Sequence, residues 1–365
     1  MDDLVYELDP KGDIVLVLDN VSQALPENIQ DITTSQGWPN GLSNPTPPES
    51  DQNKTGTSLD GKGQDNEVDS INTPECAPRR VLQIRASSRH LILACPQFKR
   101  SLQDGFQEGT TLKATGHLKF PIREWEAIPF LILMLIIHHR TRMVPREVSL
   151  NRLVEIAQLV DYYECHEAVE VFSHSWLMNL KIKPLSSKSW KPSTLDEAQK
   201  ALFVSWVFNE AEVFQRSSRY LESRSRDIVR FDGLPIPCVI QDAINRSRET
   251  LITGIIECMH NLYLKLRDGT EECSEECDCP LLGALTKGLH RIGILSLSSN
   301  SSFEGISFAL LAHDCRNIKI PNYSCRKPFE PCSISGKVDL LLKDIEKLNV
   351  GLDISAFGEL RSPHS

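Results

Sequence analysis

Apolar positions along the chain fall into two periods, one suited to strands and one to helices. Residues 14–18, IVLVL, form an unbroken apolar run opened by Gly12-Asp13 and closed by Asp19-Asn20, and residues 6–18 predict a first strand buried on both faces. Residues 81–84, VLQI, alternate as a second strand, and residues 85–88 turn the chain. From Arg89 onward Leu91, Ile92, Cys95, Phe98, Lys99 and Leu102 recur at three-and-four spacing, which predicts a helix with one apolar face. Residues 105–111 read as a polar loop, 117–120 as a short strand, and Pro121 as the opening of a helical segment. The apolar stretch 124–138 predicts a core helix that starts at about Ala127, because Pro129 is tolerated only in a first turn. Its last turn holds His138, His139, Arg140 and Arg142, cations that favour the negative end of the helix dipole. A helix capped around Ser149 runs to Tyr163, and a break at Glu164-Cys165 precedes another over 166–180.

The C-terminal half is helical throughout. Residues 181–193 are polar with two prolines, and Thr194-x-x-Glu197 is a capping box that opens a helix facing inward through Leu195, Ala198, Leu202, Phe203, Trp206 and Val207. A charged helix over 210–223 follows. After Gly233-Leu-Pro-Ile-Pro237, a stripe from Ile240 to Leu266 predicts a helix of about 45 Å that stops at Asp268-Gly269. Such a stripe needs partner helices of its own chain or a second copy in a coiled coil. Three amphipathic helices over 281–295, 307–318 and 338–348 complete the pattern, and residues 351–357 close it.

Between these halves of regular pattern lies different material. Residues 21–77 hold six prolines, five glycines and a single aromatic residue, Trp38, and carry nine acidic residues against two lysines. No period survives there, and so polar a tract cannot bury enough apolar surface to offset its chain entropy; it is expected to be disordered. It also carries −7 of the chain's net charge of −9, so the remainder is nearly neutral, which argues against a phosphate-backbone partner. The N-terminal MDDLVYELDPKGD has neither the basic nor the apolar region of a secretory signal, and the run 128–137 is too short for a bilayer. A cytoplasmic or nuclear protein with its eleven cysteines reduced is the expectation.

The strand-turn-helix over 81–102, with Leu91, Pro96 and Phe98, resembles the signature of the BTB (POZ) domain, in which Ser87 and Cys95 stand where that pattern usually has histidine and serine. Asp13-Ile14 matches the Asp-Val pair that opens BTB domains, and Leu153, Ala157, Asp161, Tyr162 and Tyr163 resemble the penultimate BTB helix. LLGALTKGLH, FEGISF and the Gly-Leu-Pro-Ile-Pro hinge are similar to the C-terminal part of a fungal group of BTB proteins. The resemblance implies an α+β BTB/POZ fold over 1–20 and 79–183, a disordered acidic insertion at 21–78 in a hairpin between the first two strands, a linker at 184–193, and an all-helical domain over 194–360. It also implies a protein–protein interaction module without enzymatic activity. Such a module self-associates as a homodimer or holds a cullin scaffold, as an adaptor that brings an unknown protein client to a cullin–RING ubiquitin ligase. A homo-oligomeric scaffold or transcriptional co-regulator without ligase coupling is the other reading.

The sequence motifs of common chemistry are missing: no Gly-rich phosphate loop before a helix, no G-x-S-x-G, no H-E-x-x-H, and no basic stripe interleaved with aromatics. No cofactor is implied. His138, His139 and His166 stand beside no carboxylate at a catalytic spacing. The one chemically unusual stretch is 271–279, EECSEECDC. Its Cys273, Cys277 and Cys279, with His290, His313 or Cys315 as a further ligand, are candidates for a metal site or a thiol-dependent enzyme. Their C-x3-C-x-C spacing is not that of paired zinc ligands, and five surrounding acids oppose a reactive thiolate.

Overall fold

A computed structural model describes residues 3–19, 21, 25–32, 80–103, 105–180, 190–269, 275–296, 303–319 and 334–360. The architecture is mixed α+β, a small four-stranded mixed sheet with many helices, and the chain divides into two compact units, Met1–Val169 and Glu170–Ser365.

In the first unit β1 (Leu4–Glu7), β2 (Ile14–Leu18), β3 (Leu82–Ala86) and β4 (Leu118–Ile122) lie in the order β1-β3-β2-β4. The predicted first strand is thus two strands, split at the turn around Pro10. β2 and β3 pair antiparallel with Leu16 opposite Ile84, although residues 19–81 separate them. β1 runs parallel to β3, and β4 parallel to β2. Every second residue of β2 and β3 is fully buried and the rest are half-covered. The continuous apolar run in β2 therefore has one core face, and the sheet is not sealed on both sides as its composition suggested. Pro121 sits inside β4 rather than at a helix start. β4 is an edge strand, where a missing N–H leaves no ladder bond unmade.

β3 leads into α1 (Ser88–Ala94) and α2 (Pro96–Ser101). The single helix expected here is broken because Pro96 forces Cys95 into an extended conformation, yet Leu91, Cys95, Phe98 and Leu102 still share the core. The loop expected after it contains α3 (Gln107–Thr115), whose amphipathicity is too weak for a periodicity argument. All eleven residues of α4 (Ala127–Ile137) are buried, as an all-apolar helix requires, and α5 (Leu150–Tyr163) and α1 pack on it. Ser149 caps α5 by accepting from the Arg152 N–H, and Glu164 in left-handed conformation ends it. α6 (His166–Met178) spans the division between the units.

The second unit is helical: α7 (Leu195–Phe208), α8 (Ala211–Arg224), α9 (Cys238–Arg267), α10 (Glu275–Ile292), α11 (Phe308–Arg316) and α12 (Ile334–Glu346), with a 3-10 turn at Ile354–Leu360. The capping box at α7 forms with one change of partner. Thr194 Oγ1 accepts from Glu197 N–H, while Glu197 returns to the N–H and hydroxyl of Ser193. Leu195, expected to face inward, is exposed at that helix start. α9 is the axis. Leu251, Ile252, Ile255, Ile256, Met259, Leu262 and Leu266 meet side chains of α10, α11 and α12, so the apolar stripe is covered within its own chain. Further back on α9, buried Arg248 donates to the carbonyls of Ser225, Arg226, Phe303 and Ile306, which ties two loops to the helix. Four carbonyl acceptors replace the water this guanidinium gives up.

Candidate interaction surface

The strand-turn-helix of the first unit is held by two side chains from other parts of the chain, and a third ties the end of β1. Asp13, at the start of β2, accepts from the Ser88 N–H at 2.7 Å and from the Ser88 hydroxyl at 2.6 Å, so its carboxylate caps α1 from across the sheet. His138, just past α4, accepts the Ser87 N–H on Nε2 at 3.0 Å and donates from Nδ1 to the Met134 carbonyl at 2.9 Å. Burial lowers the pKa of this imidazole, which agrees with a neutral ring that needs one bare nitrogen. Arg140 donates twice to the Leu8 carbonyl. The basic cluster, read from sequence as cations favouring the negative end of the helix dipole, is therefore also structural through His138 and Arg140. With both nitrogens committed, His138 has no free site for acid–base chemistry.

Beneath α2 lies an aromatic cluster. Phe98 stacks on Tyr163 at 4.7 Å between centroids and 10° between planes, with Phe130 edge-on to the same tyrosine. Cys95 and Cys165, both buried, touch through a thiol–thiol hydrogen bond that, with burial, pushes the Cys165 pKa up. A thiol held neutral in this way, as Cys165 is, is a packing group rather than a nucleophile. The cluster reaches solvent at Trp125 and Tyr162, whose rings lie 5.4 Å apart and tilted by 59°. Elsewhere on this unit Leu93 of α1 is 86 % exposed, and Val5 of the edge strand β1 and Phe106 also face out.

The metal candidates do not come together. Cys273 lies outside the described residues. Cys277 and Cys279 stand in the first turns of α10, which begins ahead of Pro280 rather than after it; Cys277 is buried in the core around α9 and Cys279 is exposed. His290 is exposed thirteen residues further along the same helix, about 20 Å from Cys277 at 1.5 Å per residue. His313 is exposed and bonded to Asn317, and burial raises the thiol of Cys315 to about 12. Among the described residues no three His, Cys, Asp or Glu side chains are grouped to hold a metal ion.

The second unit offers a groove of about 540 Å³ between α9 and α12, lined by Cys258, Leu262, Leu264, Leu340 and Leu341 with Lys265 and Lys337. Leu340 there is 66 % exposed. Among the described residues no helix is long and apolar enough to cross a membrane. No protein-family model, curated protein or solved structure matches the chain.

Proposed function

We propose that the chain is a BTB-type interaction protein. The first unit self-associates or holds a cullin scaffold, and the helical unit grips a protein client. The observation that carries this reading is the pairing of β2 with β3 across residues 19–81, with β3 running directly into α1 and α2. That is the strand neighbourhood and strand-to-helix passage the resemblance implies, and α5 and α6 follow them in the chain order expected of its last two helices. The exposed Leu93 and the outer edge of β1, unpaired among the described residues, add support, since large apolar side chains in solvent and open sheet edges are used in association.

Light scattering of the full chain, alone and mixed with a purified cullin N-terminal domain, tests the proposal. A dimer mass, or co-elution with the cullin, is the expected result. A monomer at tens of micromolar that ignores the cullin removes the reading. Replacing Leu93 with Glu is expected to weaken whichever association is seen by about tenfold while leaving the fold intact, since that side chain has no core contact to lose.

A further inference from the structure

The groove between α9 and α12 is polarised along its length. The two helices run antiparallel there: a methyl on Gly254 would meet Ile345, Cys258 lies within reach of the charge of Asp344, and Lys265 and Lys337 line the same groove further on. At the first end burial, then the charges of Glu257 and Asp344, raise the pKa of Cys258, which places both carboxylates beside it. Lys265 and Lys337 stand at the other end, about 10 Å away at 1.5 Å per residue. Neighbouring charges are turned elsewhere. Lys343 pairs with Asp339 and Glu346 with Arg316, on the side of α12 that meets α11, and Arg267 pairs with Asp268. Lys347 bonds Asp344 at 2.7 Å, but both side chains are largely exposed, and such a surface pair exchanges partners at little cost.

Between its charged ends the groove is apolar. Leu262 and Leu341 are covered, whereas Leu264 and Leu340 line it from exposed positions. Leu340 and Leu341 lie midway between Lys337 and Asp344, one turn from each. A two-fold axis through that midpoint lays Lys337 and Lys265 of one copy against Asp344 and Glu257 of another, and sets each Leu340 over the other copy's groove. The surface is thus its own complement. A foreign segment would have to bring base, leucine and acid in the matching order and spacing, whereas a second copy carries them by construction.

We propose that the α9–α12 groove is a two-fold docking surface for a second copy of this chain, with Leu340 at the axis and the lysine end of each copy on the acidic end of the other. This contact belongs to the second unit and goes beyond the reading above, which concerns association through the first unit and a client.

The test is disulfide trapping with the full chain carrying Leu340→Cys. Oxidised glutathione takes the hydrogens of the two introduced thiols and leaves as two reduced glutathiones, so a covalent dimer forms where two copies meet at the axis. That dimer appears at least about five-fold faster than in the parent, or than in Leu310→Cys, which alters an exposed leucine of α11. In the Leu340→Cys chain, Lys337→Glu and Asp344→Lys each slow trapping by about five-fold or more, because each change places like charges together at both ends of the two-fold contact. The two reversals combined restore it, a result that merely damaged folding does not give, and Leu93→Glu leaves it unchanged. All these side chains reach solvent, and circular dichroism checks the fold. The contact is overturned if Leu340→Cys is trapped no faster than Leu310→Cys, which would leave the groove to a different partner. It is also overturned if the double reversal fails to restore trapping, or if Leu93→Glu abolishes it. A chain that self-associates through Leu93 or holds the cullin, yet is not trapped, overturns this contact alone. Trapping with the stated pattern stands even where Leu93→Glu and the cullin have no effect.

Discussion

Two buried titratable side chains should give the protein opposite responses to acid. His138 has its pKa lowered by burial, so the unfolded chain binds its proton more readily than the fold does. Its contribution is fully present above the unfolded value of about 6.5 and is lost as pH falls through the lower folded value. The cause is geometric. A proton on Nε2 would face the Ser87 N–H, donor against donor, in a buried site with His90 5.2 Å away between ring centroids and Arg140 adding positive charge, and the hydrogen bond to the Met134 carbonyl and the charge of Asp9 offset this only in part. Glu222 on α8 is the reverse case. Burial raises its carboxyl to about 7, with one oxygen lacking a partner and only Ser247 and Arg219 opposing the shift. Its stability is therefore complete below the unfolded value and is lost as pH rises through about 7. In urea unfolding, His138→Ala is expected to cost about 2 kcal/mol at about pH 8, by stranding the Ser87 N–H, and less at about pH 5. Glu222→Gln is expected to add about 1 to 3 kcal/mol at about pH 8 and nothing near pH 4.5. Parallel pH profiles for either variant and the parent would contradict the assignment. Neither side chain announces this in sequence, because a histidine in a basic cluster at a helix end and a glutamate in a charged helix are ordinary. Asp13 is the exception, since its place just before an apolar strand drew attention although its capping of α1 did not.

At the level of elements, the parts that were legible share a local cause. Ser149 and Thr194 cap helices because their hydroxyls satisfy N–H groups within the same turn, and Asp268-Gly269 ends α9 for the same short-range reason. The bounds of α9 and α4 follow from apolar periodicity and from Pro129 in a first turn. What escaped was decided at a distance. α3 has little amphipathic pattern of its own, Pro121 is tolerated because among the described residues β4 has no neighbour beyond it, and α10 begins before Pro280 with Cys277 inserted into the core of α9. Two helical glycines show the same dependence. An alanine at Gly254 would meet Ile345 of α12 at 3.5 to 3.8 Å, ordinary contact, so Gly254→Ala should stabilise by about 0.5 to 1 kcal/mol through helix propensity. At Gly288 of α10 the added methyl would come within 2.7 to 3.0 Å of the buried Ile318, and Gly288→Ala should destabilise by about 1 to 3 kcal/mol. Thermal melts of the two single variants decide it, since propensity alone would make both stabilising.

For the molecule as a whole, the pairing of β2 with β3 has to survive a long excursion of the chain, and the described ends of that excursion show how it is anchored. Leu25 and Ile32 are buried, Tyr6 donates its hydroxyl to the Pro26 carbonyl, and Arg80 pairs with Glu27 at 3.8 Å. The register itself comes from the alternation of Ile14, Leu16 and Leu18 against Leu82, Ile84 and Ala86; a slip of either strand by one residue would turn its three core residues out to solvent. The acidic stretch between is then a cost in loop closure that rises only with the logarithm of length. Joining Ile32 to Arg80 through a short Gly-Ser linker, with residues 33–79 removed, is expected to leave the sheet intact and to raise stability by about 1 kcal/mol. The same deletion removes seven acidic and three basic residues, −4 of the chain's net charge of −9, and it separates two roles. If the variant keeps the parent's self-association or cullin binding, those activities reside in the strand–helix unit, as the proposal requires. If it folds, judged by an unchanged circular dichroism spectrum, but binds nothing, the acidic stretch itself is the binding element and the sheet is only its mount. A variant that fails to fold would mean that residues 33–79 contribute packing to the sheet, contrary to what their composition allows.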